Sequence, residues 1–529
     1  MLIISHRDEE RLGLPEVLDA CRCYSPQGRQ LKVKRTFYAP ADRALLEQEL
    51  NAIEALIVFL NTYPEDVRCA TVTLGRFRNL HGTLLGLKKN RLLEVTELFE
   101  IKQALQLFRE LSAMEALLCA ASVTVTAMPE AEALLDPGDR MTSGFYLYDE
   151  YSPRLAELRQ RRSIIERQIE QGCVAGVPES LGKGAALFGE ICDLPSTRIT
   201  CEWTAARTRE ALLATRASLI EEEGREEVIV RARLTNALAA HLETLQTNFS
   251  SVAVLDFRLA RAVLADHWGA GKPSILDEGD AATLEDLSHP VIEHDLKSRG
   301  ALFVRQSITL SPGTTVLSGP NMGGKSVALK SLTLALVLIQ LGYFPSATAS
   351  ATPLYDFISY SSDHLDTTKR GLSSFGNEIV RIRDDAARAR QKRGLVVMDE
   401  PCRGTNPEEA TALVGALARF YSERQSSFVM ATHYHVPHLD GIAHVRIRGI
   451  QQEALDVMAA DGVPESDRDA IRRIEALMDY RLERVDGNAP VPTDAIRIAG
   501  LLGLDRDILE LASDLNDKDE AAITEQQTP

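Results

Sequence analysis

Residues 316–332 read VLSGPNMGGKSVALKSL, which fits G-x-x-x-x-G-K-S from Gly319 to Ser326. A β-rich run, TTVLS, precedes the glycines, and the helix-forming VALKSLTLALVLIQL follows them. That strand–loop–helix context is what a phosphate-binding loop requires. Backbone N–H groups around 321–326 are expected to point at a β-phosphate, and the helix that follows adds the positive end of its dipole. Gly319, Gly323 and Gly324 allow backbone approaches that a Cβ would block. In such a loop Lys325 reaches the β/γ oxygens and Ser326 ligates Mg²⁺.

Two more segments belong to the same chemistry. RGLVVMDEP, 393–401, reads as a buried strand ending in adjacent carboxylates. Asp399 stands where an acid would hold Mg²⁺ through water, and Glu400 where one would polarise the attacking water as general base. FVMATHYHVP, 428–437, reads as a second buried strand ending in His433, placed to sense a γ-phosphate. His435 and His438 are read as ordinary loop histidines.

The rest of the chain sets the frame. With 529 residues it exceeds what one hydrophobic core organises, so several domains are expected. The formal net charge of −17 counts against phosphate-backbone contact as the main business. Eight cysteines are scattered with no C-x-x-C pair, which suits reduced thiols in a cytoplasmic protein. No signal-peptide pattern is read at the N-terminus, and the longest apolar run, Leu332 to Leu341, is read as a buried helix rather than a membrane span.

Residues 1–40 form a small segment with strand-like patches and no clear chemistry. Residues 41–275 read as an all-α core and lever domain, with helices expected near 91–109 and 111–121. PRLAELRQRRSIIERQIEQ, 153–171, is amphipathic, with Leu155, Leu158, Ile165 and Ile169 on one face and a solvated arginine face opposite. Residues 172–225 read as less regular. From 226 to 268 there is no Pro or Gly for 43 residues, which suggests one long strut or two helices meeting near Asn248–Ser251. From about 276 to 450 strands alternate with helices, the α/β signature of a P-loop NTPase. Residues 451–515 complete that domain, and 516–529 are polar and expected to be disordered.

GPNMGGKS, together with LVVMDEPCRGT and ATHY, resembles the MutS family of ATPases. The resemblance extends to LSHPVIE (287–293), to LFVRQSITL, to GLSSFGNEI (371–379) and to IRIAGLLGLDRDILELA (496–512). It implies an ATPase of ABC/MutS type using ATP and Mg²⁺ at composite sites of a homodimer. Pro320, Asn321, Met322 and Val327 then join the nucleotide-binding loop. Phe303 stacks on adenine, Ser373 reaches the partner subunit's nucleotide in trans, and a C-terminal helix-turn-helix clasps the other subunit. Lever helices would carry domain closure to a distant client.

Departures from the family bear on that client. No F-x-E wedge of a mismatch reader is found in residues 1–40, and the interval 172–225 is short for a DNA clamp. CRGTNPEEA replaces the commoner GRGTS continuation, and an Smr nuclease domain is not expected. FYLYDEYSPRLAELR, GGKSVALKSL, TKRGLSSFGNEI and RGTNPEE resemble the ATPase subunits of lysine 5,6-aminomutase reactivases. That resemblance implies reactivation of an adenosylcobalamin-dependent lysine or ornithine aminomutase, with a small companion subunit. The alternative is a mismatch- or structure-binding ATPase of DNA repair or recombination; DNA is the less favoured client and no membrane is involved.

Overall fold

The computed structural model describes residues 3–137, 147–170, 195–320, 324–362, 374–450, 477–485, 499–500 and 504–513. The chain forms two compact units, one of residues Met1–Cys23, Lys32–Pro64 and Phe257–Pro529, the other of Tyr24–Leu31 and Glu65–Asp256.

The first unit opens with helices α1 (His6–Arg11) and α2 (Leu14–Ala20); the residues of α3 (Pro26–Lys34), next in the chain, are divided between the two units. Strand-like patches were the expectation here. The segment is helical because its apolar residues cluster at helical ends rather than alternating: Leu12, Leu14, Val17 and Leu18 are all buried. Helix α4 (Arg43–Thr62) also belongs to this unit. Glu49 on α4 pairs with Arg258 at 2.6 Å and Arg261 at 2.8 Å, and Arg261 donates to the Gly342 carbonyl.

The second unit is helical throughout its described residues: α5 (Pro64–Gly75), α6 (His81–Lys88), α7 (Val95–Ser112), α8 (Glu115–Ala120), α9 (Pro129–Leu135), α10 (Pro153–Glu170), α11 (Pro195–Ala239) and α12 (Leu242–Trp268), the last continuing into the first unit from Phe257. Phe77, Phe108 and Phe249 form an aromatic cluster in its core, with ring centroids 5.0–6.2 Å apart. The long 226–268 run is two helices, but the break falls at Ala240–His241, not near Asn248–Ser251. Asn248 is instead mid-helix, 1% exposed, and its amide spans the backbone N–H and C=O of Thr126. Helix α11 reaches back to Pro195, so much of the interval read as irregular is helical. The arginines of α10 are a solvated face only in part: Arg154, Arg161 and Arg167 are exposed, while Arg159 and Arg162 are half-buried. Arg159 pairs with Asp149, Glu223 and Glu227 at 2.8–3.0 Å, Arg162 with Glu223, and Arg154 with Glu222.

Two sheets complete the first unit. The smaller has the order β1 (Pro273–Ile275), β5 (Ala349–Thr352), β2 (Ala282–Leu287), β3 (Gln306–Leu310). The larger has the order β10 (Met478–Arg484), β9 (Ile442–Ile450), β4 (Gly313–Ser318), β8 (Ser427–Ala431), β7 (Gly394–Asp399), β6 (Phe357–Ser362). Its five strands from β9 to β6 run parallel and β10 is an antiparallel edge. Strands β4, β7 and β8 are buried almost end to end, as parallel strands covered on both faces must be. Helices α13 (Pro290–Ser298), α14 (Lys325–Gln340), α15 (Ser374–Ala389) and α16 (Pro407–Ser422) connect the strands. Leu332 to Leu341 is the buried helix expected, and no described helix is long and apolar enough to cross a membrane. Of the helix-turn-helix stretch 496–512, most of the first part lies outside the described residues, and 506–513 are helical. None of the five described cysteines with a free thiol, Cys21, Cys23, Cys69, Cys119 and Cys402, is bridged.

Candidate active site

The parallel register decides which side chains meet. Leu317 near the end of β4 and Asp399 at the end of β7 both pair with Ala431, the last residue of β8. Two hydrogen bonds continue the junction beyond the strands: Thr432 N–H donates to Leu317 O at 3.2 Å, and Glu400 N–H to Ala431 O at 2.9 Å. The glycine loop, the carboxylate pair and His433 therefore leave the same edge of the sheet, at the carboxyl ends of its strands, where open α/β sheets bind ligands.

The loop itself is shaped by glycine where the backbone demands it. Gly324, φ 78°, is the N-cap of α14, and Gly319 has φ 144°. A Cβ at Gly319 would stand 3.1 Å from Ile447 Cβ, and one at Gly324 would stand 3.1 Å from the Tyr480 ring. Between them the Lys325 ammonium, on a residue only 5% exposed, donates to Gly319 O at 2.7 Å and Pro320 O at 3.2 Å. Burial lowers the Lys325 pKa, and the nearby Glu400 and Asp399 carboxylates oppose that shift. Asn321, Met322 and Gly323 lie outside the described residues, as does Ser373.

Asp399 is held where a cation would be useful. Burial raises its pKa and the adjacent Glu400 adds to this; the Ser326 hydroxyl, hydrogen-bonded to it, and Lys325 work the other way. A half-buried carboxylate beside a hydroxyl in the first turn of a helix is a donor set suited to a hard divalent ion. Glu400 sits in the left-handed region at φ 51°, and Cys402 follows at φ 65°. Its carboxylate pairs with Arg403 at 2.9 Å. The turn is supported from α15, where Glu378 Oε1 accepts from Cys402 N–H at 2.8 Å. Cys402 itself is a packing residue: burial raises its thiol pKa to about 11.

The remaining sequence-derived residues are placed as follows. Val327 is half-buried in the first turn of α14. His433 is exposed just past β8, its ring 4.2 Å from that of Tyr434. Phe303 is half-buried in the loop before β3, and Gln306 at the start of that strand donates to Tyr480 O at 2.9 Å. Sequence reading missed Tyr480. Its only local signal is an aromatic in a charged strand, and its place over Gly324 comes from the pairing of β10 with β9, far along the chain from the loop.

The span that contains these residues is similar to known proteins. Residues 315–464 match the model of MutS domain V. The chain is 30% identical over 292 residues to the endonuclease MutS2 of Geobacillus sp. (strain WCH70), covering 55% of this chain and 34% of that protein. It is 24% identical over 302 residues to the endonuclease MutS2 of Caldicellulosiruptor bescii, covering 57% and 35%. It is 31% identical over 307 residues to the DNA mismatch repair protein MutS of Treponema pallidum (strain Nichols), covering 56% and 31%. The matched part thus spans about a third of the length of these relatives.

Proposed function

We propose that this chain is a MutS-type ATPase that hydrolyses ATP to ADP and phosphate at composite sites of a homodimer and uses closure to remodel a macromolecular client. The observation that carries the reading is the convergence of Lys325, Ser326, Asp399 and Glu400 at one sheet edge, where the parallel register sets the ends of β4 and β7 on either side of Ala431. The match of residues 315–464 to MutS domain V supports it.

In this reading Lys325 leaves the loop carbonyls for the β/γ oxygens, and Gly319, Pro320, Asn321, Met322, Gly323, Gly324 and Val327 shape the phosphate cradle. Mg²⁺, held by Ser326 and through water by Asp399, would neutralise phosphate charge. Glu400 accepts the proton of the attacking water. His433 senses the γ-phosphate, Phe303 and Tyr480 flank the base, and Ser373 acts on the partner subunit's nucleotide.

The client has two readings. Likeness to aminomutase-reactivase ATPases supports an adenosylcobalamin-dependent lysine or ornithine aminomutase, with a companion subunit. The internal pairing of Arg154, Arg159 and Arg162 with glutamates and an aspartate favours it too, because charge already neutralised within the helical unit adds less attraction for phosphates. The printed functions of the relatives, mismatch repair and endonuclease, favour DNA instead.

Glu400→Gln tests the site: ATP should stay bound while kcat falls by on the order of 100-fold or more. Wild-type turnover in that variant would remove Glu400 from its role. The client is decided by DNA binding measured across salt, set beside ATP-dependent recovery of an inactivated aminomutase. Tight, salt-steep DNA binding would overturn the aminomutase reading.

A further inference from the structure

The N-terminal residues carry no motif, yet the structure ties them to strand β6 and helix α15. Ile3 O accepts from Ile358 N–H at 2.9 Å, on the outermost strand β6. Helix α1 follows, and Asp8 on it is only 2% exposed. Asp8 Oδ2 accepts from Arg381 Nη2 at 2.6 Å. The same nitrogen donates to Ser359 Oγ at 2.9 Å, and Ser359 Oγ donates to Asp385 Oδ2 at 2.6 Å. Strand β6, helix α15 and helix α1 are thereby locked through one guanidinium.

Arg381 lies three residues, one helical turn, beyond Glu378 on α15. Glu378 holds the Cys402 amide, and Phe375 packs on the same turn, its Cβ 3.3 Å from where a Cβ on Gly404 would stand. That turn carries Glu400 and Cys402 in backbone conformations that L-residues resist. Such a conformation persists only where the surroundings over-determine it, and α15, together with Ala431 O at the end of β8, supplies those contacts. A buried carboxylate that loses its cation is strongly disfavoured, so α1 and α15 hold each other in place.

We propose that helix α1 braces the hydrolytic turn, with Asp8 acting through Arg381 and Glu378 as a positioning residue for Glu400. The proposal rests on the assignment of Glu400 as general base.

The test is Asp8→Asn in the full-length protein, a change that keeps volume and removes charge. The expected result is a kcat lowered about fivefold or more with the KM for ATP within about twofold. In the ligand-free protein, amide hydrogen exchange across 374–389 and 399–404 should speed up. In the Glu400→Gln background Asp8→Asn should lower the residual rate no further, because both act through one group. A folded Asp8→Asn protein with wild-type kcat, or faster exchange confined to residues 3–11, overturns the brace. If the wild-type protein shows no ATPase activity, the functional reading fails, and the exchange measurement still decides whether α1 holds the turn. Should Asp8→Asn fail to fold, Arg381→Lys, which keeps the charge but not the geometry, is read in the same way.

Discussion

Helix α14 and the α10–α11 pair are built on opposite principles. From Leu332 to Ile339 every residue of α14 is buried, and its stability comes from apolar packing against strands. Helix α10 buries only Leu155 and Leu158 and is otherwise joined to α11 by ion pairs. A helix that must present Lys325 and Ser326 to phosphates at a fixed place is set in a close-packed core, which transmits strain and deforms little. A helical pair held by charge stays responsive to salt and to charged partners.

The largest effect expected from α14 is at its N-terminus. Lys325→Ala should weaken ATP binding by on the order of 100-fold or more, measured by titration with a fluorescent analogue, because no other described side chain in the loop carries a positive charge. Next, Leu329→Ala, at a residue 0% exposed, should cost about 3 kcal/mol of unfolding free energy, alongside about 1–3 kcal/mol for Glu223→Gln at the α10–α11 junction. Denaturation at low and high salt separates the two: the Glu223 loss should shrink in 0.5 M NaCl, roughly a 4 Å Debye length, and the Leu329 loss should not. Equal salt response in both would break the contrast.

The smallest effect concerns pH. His289 caps α13, is 3% exposed, and burial holds its pKa down at about 4 against an ordinary 6.5. A depressed folded-state pKa means stability that is full above 6.5 and is lost as pH falls towards about 4. The acid-induced loss in that window should be up to about 3 kcal/mol smaller in His289→Asn, followed by urea denaturation at several pH values.

Much of the site was legible because its residues sit in contiguous motifs whose strand, turn and helix signals agree. Lys325 and Ser326 were read from the glycine-rich motif after a strand, and Asp399, Glu400 and His433 from strand ends; the parallel sheet brings those ends to one edge. What could not be read depends on pairing across long sequence intervals. The glutamates that neutralise Arg159 and Arg162 lie about sixty residues later, so a helix with one charged face looked solvated. The break at Ala240–His241 has no Gly or Pro to mark it. Asp8 and Glu9 are charged residues 2–3% exposed, the opposite of what their type suggests, and their partners explain them: Arg381 for Asp8, Arg35 and His6 for Glu9.

The ribbon of β9 and β10 has a consequence for interpreting variants. Ile447 and Tyr480 press on Gly319 and Gly324, the two ends of the described cradle, from opposite strands of one antiparallel pair. Neither residue falls in the glycine-rich loop or the acidic motif, so reading those motifs alone would pass over changes there. A bulkier or smaller side chain at either position would alter the glycine backbone and mimic a defect in the loop itself. Diagnostic sequencing of this chain should therefore grade residues 447 and 480 with the loop they shape, not with the strands they occupy.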